Sequence, residues 1–229
     1  MSEKAMSDCA ACTLTARDRV CLNPATGKGG KGCPTLVGKP LIQKAADTYR
    51  QEEVLEFARQ ASIQESECYA NRDRRPFVLH PVKPRILEIC EFSRKMGYNR
   101  LGLAFCAGLI REAALVEQIF QNQGFQVVSV ICKAGAVPKE AIGLSDDQKV
   151  RVGPAHESMC NPVLQALVLN EAETDFNILL GLCVGHDSLF FKHAEAPVTV
   201  LAVKDRLTGH NPLAAVYTSN SYYSRLNVP

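Results

Sequence analysis

Phe176-Asn-Ile-Leu-Leu-Gly-Leu182 and Val198-Thr-Val-Leu-Ala-Val203 are the two segments that decide the fold of this chain. Each is a short apolar run bounded by polar or turn residues, and a segment of helix length separates them. Such runs are typical of neighbouring parallel strands that are buried on both faces of a sheet. In an open parallel sheet, ligands bind beyond the carboxyl ends of the strands. The residues that follow these two strands are therefore the first candidates for a site.

Reactive side chains follow the first of these strands. Cys183, His186 and Asp187 come directly after it, and together they offer a thiol, an imidazole and a carboxylate. Such groups donate and accept protons in active sites, so we expect His186 and Asp187 to act in catalysis. A salt bridge or a helix cap is the plainer explanation for each. A nucleophilic triad of the three is an alternative, but residues so close in one loop rarely align as nucleophile, base and orienting group.

An earlier part of the chain has the pattern of a β-α-β unit. Residues 100–105 and 125–131 are apolar enough to be strands, and residues 109–123 between them have the spacing of an amphipathic helix that ends at Gly124. The crossover between parallel strands is almost always right-handed. The sequence therefore predicts an α/β protein, a three-layer sandwich with a mostly parallel sheet of the flavodoxin-like or Rossmann-like kind.

Four further cysteines fall at positions that this topology brings to one edge of the sheet. Cys106, Cys132 and Cys183 follow predicted strands, and Cys160 precedes the helix predicted to begin at Pro162. We expect these four thiols to bind a cofactor, although chance placement of ordinary buried cysteines is the alternative. Four ligating thiols would make a closed zinc or 4Fe-4S site, whereas three would leave one position open for substrate. In the open version, Lys133 would join the catalytic groups as a proton donor or an anchor for an anion.

The first 40 residues form a separate region rich in cysteine and glycine. Their four cysteines have the spacing Cys-x2-Cys-x8-Cys-x11-Cys; they are Cys9, Cys12, Cys21 and Cys33. So short a glycine-rich segment cannot build an apolar core, and a metal bound by four thiolates is the usual substitute. Zinc is the expected ion and an iron-sulfur cluster the rival, while four cysteines without a metal are the third possibility.

Helical patterns fill the region between this segment and the predicted sheet. Apolar residues recur every three or four positions over residues 41–68, and a second helix is predicted from Pro84 to Met96. We therefore predict two domains: a metal-binding knuckle over residues 1–40 and an α/β domain over residues 41–229 with a helical part over residues 41–98. Cys68 and Cys90 lie within the helical patterns and are expected to pack in the core.

Composition narrows the class of protein. The 229 residues are 46% hydrophobic with a formal net charge of +2, and no basic stripe suggests binding to nucleic acid. No apolar run is long enough to span a membrane, and the start Met1-Ser-Glu-Lys4 lacks the apolar core of a secretion signal. A cytoplasmic protein is expected, and in that reducing compartment ten cysteines favour metal binding or catalysis over disulfides.

The chain resembles a family of bacterial and archaeal proteins of unknown function that are described as predicted metal-binding proteins. The segments that carry the resemblance span nearly the whole chain: the Cys9, Cys12 and Cys21 knuckle closing on Cys33-Pro-Thr35, Cys132-Lys133, Met159-Cys-Asn-Pro162, Gly181-Leu-Cys-Val-Gly-His-Asp-Ser-Leu-Phe190, Lys204-Asp-Arg206 and His210-Asn-Pro212. The resemblance implies metal binding and implies no reaction.

Two functions follow as expectations. The first is an iron-sulfur protein whose 4Fe-4S site at the strand ends performs redox or sulfur chemistry on a small molecule, with a redox protein as a further candidate partner. The second is a zinc-stabilised binding module without catalysis, in which the knuckle contacts another protein. A metal-free cysteine hydrolase is a third. Whether the chain is an enzyme and whether it forms a homo-oligomer are left open by the sequence.

Overall fold

A computed structural model describes residues 7–228 of the protein. The first six residues, which include the start of the chain considered above, and Pro229 lie outside the described residues. Contacts divide the chain into a unit that ends at Glu65 and a second that begins at Ser66. The domain division at residue 40 remains a prediction.

The first unit contains the cysteine-rich segment and a run of helices. The helices are α1 (Pro34–Val37), α2 (Lys39–Thr48) and α3 (Glu52–Glu67), and the last two residues of α3 already belong to the second unit. The sequence predicts one helix over residues 41–68, whereas the structure has a break after Thr48. The Thr48 hydroxyl donates to the Lys44 carbonyl at 3.0 Å, a back-bond that accompanies bent or ending helices. Propensity alone gives no signal for this break, because Tyr49, Arg50 and Gln51 are all tolerated in helices.

The second unit alternates strands and helices as the sequence predicts. Its elements are α4 (Arg85–Lys95), β1 (Arg100–Phe105), α5 (Ile110–Asn122), β2 (Gln126–Ile131), α6 (Pro162–Glu171), β3 (Phe176–Leu180), α7 (His186–His193), β4 (Val198–Ala202) and α8 (Leu213–Tyr217). Short 3-10 helices precede α5, interrupt the loop before α6 and close the described chain.

The four strands form one parallel sheet in the order β2-β1-β3-β4. Phe105 at the end of β1 is paired with Ile131 of β2 and with Leu180 of β3, so three strands end at the same level. With right-handed crossovers, this order puts α5 on one face and α6 and α7 on the other. The predicted α/β sandwich with a parallel sheet is confirmed.

The core between the sheet and α6 and α7 is continuous and apolar. Its buried members are Ala104, Val130, Cys132, Ala166, Leu169, Leu179, Leu182 and Phe190. The other face of β1 presents Leu101, Leu103 and Phe105, which are also buried. Cys68 and Cys90 are buried as predicted. A strand buried on both faces has no need of polar alternation, which explains why the segments over β1 and β3 are apolar apart from Arg100 and Asn177.

Helix α4 begins beside the edge strand of this sheet. At its first residue, the Arg85 guanidinium donates to the Val200 carbonyl at 2.6 Å and to the Thr199 hydroxyl at 2.9 Å. Both acceptors belong to the edge strand β4, and charged groups on an edge strand discourage pairing with another chain. Among the described residues, no helix is both long and apolar enough to cross a membrane.

Two leucines of α6 test the assignment of its buried face. Leu169 is fully buried and Leu167 is half exposed. We expect Leu169→Ala to lower the free energy of unfolding by about 2 to 5 kcal/mol, because it removes methyl groups from the packed core. The matched variant Leu167→Ala should change it by no more than about 0.5 kcal/mol. Urea unfolding followed by circular dichroism measures both, and equal losses would show that α6 packs differently.

Candidate functional site

The candidate site lies at the carboxyl ends of the parallel strands. Cys106 follows β1, Cys132 follows β2, and Gly181-Leu-Cys183 follows β3. The connections that leave β1 and β3 run in opposite directions along the sheet, because β2 and β4 lie on opposite sides of that pair. Such a reversal opens a crevice between neighbouring strands, where α/β proteins bind ligands.

Cys132 is the centre of a group of three cysteine side chains. It is buried among core residues, and its sulfur accepts a hydrogen bond from the Ala107 backbone N–H at 3.3 Å. Cys106 and Cys160, which are both partly exposed, pack against the core cluster that contains Cys132, and hydrogen bonding among the three thiols shifts their pKa values. Three thiols from distant parts of the chain therefore meet at one place, and we call them the thiol cluster.

The hydrogen bonds divide the thiol cluster into two acceptors and one donor. The bond from Cys132 lowers the pKa of Cys106 to about 5, with help from the Gly108 N–H and the Lys204 ammonium. The same donor lowers the pKa of Cys160 to about 5, assisted by the charges of Lys133 and His186. Both effects exceed the opposing effect of burial. The pKa of Cys132 is raised because its proton is shared with two thiolates.

The long loop between β2 and α6 holds Cys160 in this group. The Asn161 N–H donates to the Cys132 carbonyl at 2.8 Å, and the Asn161 side chain caps α6 by accepting from the Leu164 N–H. The Lys133 ammonium donates to the Ser158 carbonyl at 2.5 Å. These bonds tie both ends of the loop together, so Cys160 is fixed beside Cys132 although the two are far apart in sequence.

Buried charges give the middle of this loop a fixed shape. The Lys149 side chain is fully buried and forms ion pairs with Glu140 at 2.5 Å and Asp146 at 2.7 Å. Nearer to Cys160, Lys139 pairs with Glu157 at 2.5 Å and lowers the pKa of that carboxyl to about 2. The loop also contains two 3-10 helices, Lys139–Ile142 and Asp146–Gln148.

Gln165 binds the backbone at the ends of β1 and β2, next to the cysteines that follow these strands. The sequence did not identify it as a site residue. It is fully buried in α6, and its amide donates to the carbonyls of Phe105 and Val130, at the ends of β1 and β2. The Gln165 side-chain oxygen has no partner among the described residues. A polar residue within an otherwise apolar helical pattern was the only available signal.

Cys183 is placed differently from the other strand-end cysteines. Its sulfur accepts a hydrogen bond at 3.1 Å from the Arg206 guanidinium, which lies in the loop after β4. This bond, and the charges of Cys183, Cys106 and Cys160, raise the pKa of Arg206. Arg206 therefore interacts with Cys183 and with two members of the thiol cluster, Cys106 and Cys160.

The glycine at the end of β3 is required by close packing against the opposite turn. Gly181 has a φ of +69°, and a Cβ atom there would lie 2.2 Å from the Leu109 side chain. A side chain at this position would therefore displace Leu109, which is buried directly after the Cys106 turn. Gly181 allows the loop that carries Cys183 to approach the one that carries Cys106.

The predicted catalytic residues have different surroundings. Lys133 and His186 lie near Cys160, on which both act electrostatically. The Asp187 carboxylate lies in the first turn of α7 and accepts from the Ser188 N–H at 2.8 Å. Within residues 7–228, no side-chain hydrogen bond joins His186 to Cys183 or Asp187, so the geometry gives the triad alternative no support.

The four N-terminal cysteines line one cavity in the first unit. The cavity has a volume of about 620 Å³, and its lining includes Cys9, Cys12, Cys21 and Cys33. Backbone hydrogen bonds from Cys12 to Cys9 and from Cys33 to Gly30 close tight turns at both ends of the segment. No three His, Cys, Asp or Glu side chains of the described chain are grouped in the arrangement of a bound ion, here or at the strand ends. Metal binding therefore stays a prediction at both places.

Fold and site together define an α/β protein whose parallel sheet carries a cluster of thiols and cationic side chains at its carboxyl edge. The chain belongs to the family described as protein of unknown function, DUF1847, whose profile matches residues 33–201. It is 39% identical over 194 residues to the uncharacterized protein MJ0455 of Methanocaldococcus jannaschii, an alignment covering 85% of this chain and 89% of that protein. No solved structure matches.

The family match covers one group of cysteines and only the last member, Cys33, of the other. Residues 33–201 include the three members of the thiol cluster and Cys183. Cys9, Cys12 and Cys21 lie before the matched segment, and Lys204 and Arg206 lie after it. The family assignment therefore concerns the sheet and its thiols, and it carries no information about the first three knuckle cysteines.

The lowered pKa of Cys160 predicts its reactivity. In reduced, chelator-treated protein, iodoacetamide should alkylate Cys160 at neutral pH, and the rate should fall only as the pH approaches about 5, where the thiolate is protonated. An ordinary thiol loses reactivity below about pH 8.5, which is the behaviour expected after unfolding. Mass spectrometry of the modified peptides measures the rates, with buried Cys90 as the unreactive control. A rate for Cys160 that rises only through the ordinary range would contradict the hydrogen-bonded cluster.

Proposed function

We propose that the carboxyl edge of the sheet binds a metal cofactor through Cys106, Cys132 and Cys160, and that the cofactor is a 4Fe-4S cluster serving redox or sulfur chemistry on a small molecule. The observation that carries the proposal is the packing of three thiols from three separate segments at one place, where they shift one another's pKa values. These three groups lie at the switch point of a parallel sheet, where ligands bind. If they served only packing, the arrangement would be energetically unfavourable, because Cys132 is held next to two thiolates.

The donor groups suit a thiophilic metal. Thiolate is the form that binds zinc and iron, and Cys106 and Cys160 favour it well below neutral pH. Cys132 would lose its shared proton on binding, as ligating cysteines do. Burial of Cys132 in the apolar core and partial exposure of the other two leave one side of the site open.

Cationic side chains around the thiols support an anionic centre. Lys204 acts on Cys106, Lys133 acts on Cys160, and Arg206 faces both. Positive groups beside a thiolate-bound cluster stabilise its negative charge and raise its reduction potential. Cys183 would be the fourth ligand only if it left Arg206; otherwise three thiols hold the centre.

A coordination position that the protein leaves open would allow this centre to react with a small molecule. A bound 4Fe-4S cluster would supply one-electron transfer and, with three thiolate ligands, one iron accessible to an outside molecule. Lys133 and His186 lie close enough to Cys160 to hold or deliver a proton at that side of the site. A redox protein would exchange the electrons, and a reducing compartment such as the cytoplasm would keep the thiols free.

Zinc is the alternative occupant of the same thiols. It would make the site structural or Lewis-acidic without redox activity, and the protein would then serve as a zinc-stabilised interaction module. A 4Fe-4S protein prepared without oxygen is brown and contains iron and sulfide, whereas a zinc protein is colourless. The two occupants therefore differ in a measurement that needs no substrate.

Loss of one cluster thiol should remove the metal. We expect anaerobically purified protein to contain iron and acid-labile sulfide, and Cys132→Ala to lose nearly all of both because the central ligand is gone. Cys90→Ala removes an equally buried cysteine from α4 and should retain the wild-type content. Metal and sulfide analysis with a visible spectrum measures this. Stoichiometric zinc without iron would reject the cluster, and full iron content in Cys132→Ala would reject these ligands.

We further propose that Cys9, Cys12, Cys21 and Cys33 hold a structural zinc ion. The observation that supports this second site is their common cavity, which Gly29 and Gly30 also line. Four thiolates form a closed tetrahedral zinc site, which stabilises short segments that lack a core. This site would order the first unit and take no part in the reaction.

Removing a ligand of the knuckle zinc should affect only the start of the chain. Cys12→Ala should lower the zinc content by one equivalent and leave the iron content unchanged, because the thiol cluster belongs to the other unit. Limited proteolysis should then cut within residues 7–33 faster than in wild-type protein, since the metal no longer stabilises the folded segment. Unchanged zinc content and unchanged cleavage would contradict a zinc ion at these four thiols.

A further inference from the structure

Three cations at the carboxyl edge of the sheet have no carboxylate partner. Lys133, Lys204 and Arg206 come from the loops after β2 and β4. In the described part of the chain, none of the three forms a salt bridge with a carboxylate. They interact instead with sulfur atoms of the thiol cluster and of Cys183. Positive charge is thus collected at the edge where ligands bind in such sheets.

The acidic residues near these cations bind other groups. Asp205 stands between Lys204 and Arg206 in sequence, yet its carboxylate accepts from the N–H groups of Leu207 and Thr208 at 2.9 and 3.0 Å. These bonds lower the pKa of Asp205 and hold its charge in the turn. Glu157, near Cys160, is paired with Lys139. The loops therefore keep their negative charges away from the three cations.

Arg206 has N–H donors that no acceptor within residues 7–228 uses. A guanidinium carries five N–H groups in a planar fork that matches an oxyanion, and one nitrogen of Arg206 donates to Cys183. Its other N–H groups have no acceptor among residues 7–228. The side chain is exposed although it reaches over the thiols, so a molecule from solvent has access to it.

We propose that Arg206 and Lys204 form a binding site for a small oxyanion, a carboxylate or a sulfur oxoanion, directly beside the thiol cluster. Its role as the substrate site rests on the proposed function. The N–H groups of Arg206 that do not donate to Cys183 lack an acceptor within residues 7–228. An oxyanion supplies acceptors that fit the guanidinium fork, which brings the rest of the small molecule to the open side of the thiols.

Calorimetric titration of the purified protein tests the site. The probes are thiosulfate and acetate, one for each class of oxyanion, and the metal content of every sample is measured before titration. We expect at least one probe to bind, and we expect Arg206→Gln to weaken its binding roughly tenfold or more, as loss of charge-assisted hydrogen bonds does. Lys204→Gln should also weaken the binding of that probe.

A matched control and the metal analysis separate the possible failures. Arg225→Gln removes an exposed arginine that contacts the Tyr223 ring, and it should leave the affinity unchanged. If metal is present but neither probe binds, or if Arg206→Gln binds as tightly as wild type, the oxyanion site is wrong and the metal proposal stands. If the protein holds no metal but binds a probe through Arg206, the oxyanion site stands and the metal proposal is wrong.

Discussion

Parallel pairing of β1 with both β2 and β3 is the constraint on which the site depends. Phe105 is opposite Ile131 on one side and Leu180 on the other, so the chain leaves all three strands at one level. Backbone hydrogen bonds continue the pairing for one residue beyond the strands, from the Cys106 N–H to Leu180 and from the Cys132 N–H to Phe105. These bonds place two thiols side by side before any side chain contributes.

Everything else at the edge is added to that arrangement by loops. The loop after β2 returns with Cys160 and is held by ion pairs around Lys149 and by the bond from Asn161 to Cys132. The loop after β4 contributes Lys204 and Arg206. A rigid sheet with functional loops at one end is the usual division of labour in α/β proteins. Here the loops contribute one thiol and the positive charge that stabilises thiolates.

The sequence predicted the parts of this structure that follow from periodicity and strand direction. Short apolar runs identified all four strands, and the expected crossover correctly made neighbouring strands parallel. Because Cys106 and Cys132 directly follow strands, their shared edge could also be inferred. Gln165 could not, since its role depends on two carbonyl groups that only the folded sheet brings together. The same holds for the pairing of Arg206 with Cys183, in which two loops meet.

Bridging by a trivalent arsenical tests the central claim most directly, because phenylarsine oxide binds stably only where two thiols are close together. The protein is first reduced and freed of metal, and the arsenic-linked peptides are identified by mass spectrometry. At the strand ends, the account predicts a bridge that joins Cys132 to Cys106 or Cys160 and that is absent from Cys132→Ala. Independent labelling of these three cysteines without any bridge between them would contradict the thiol cluster, and with it the proposed metal centre.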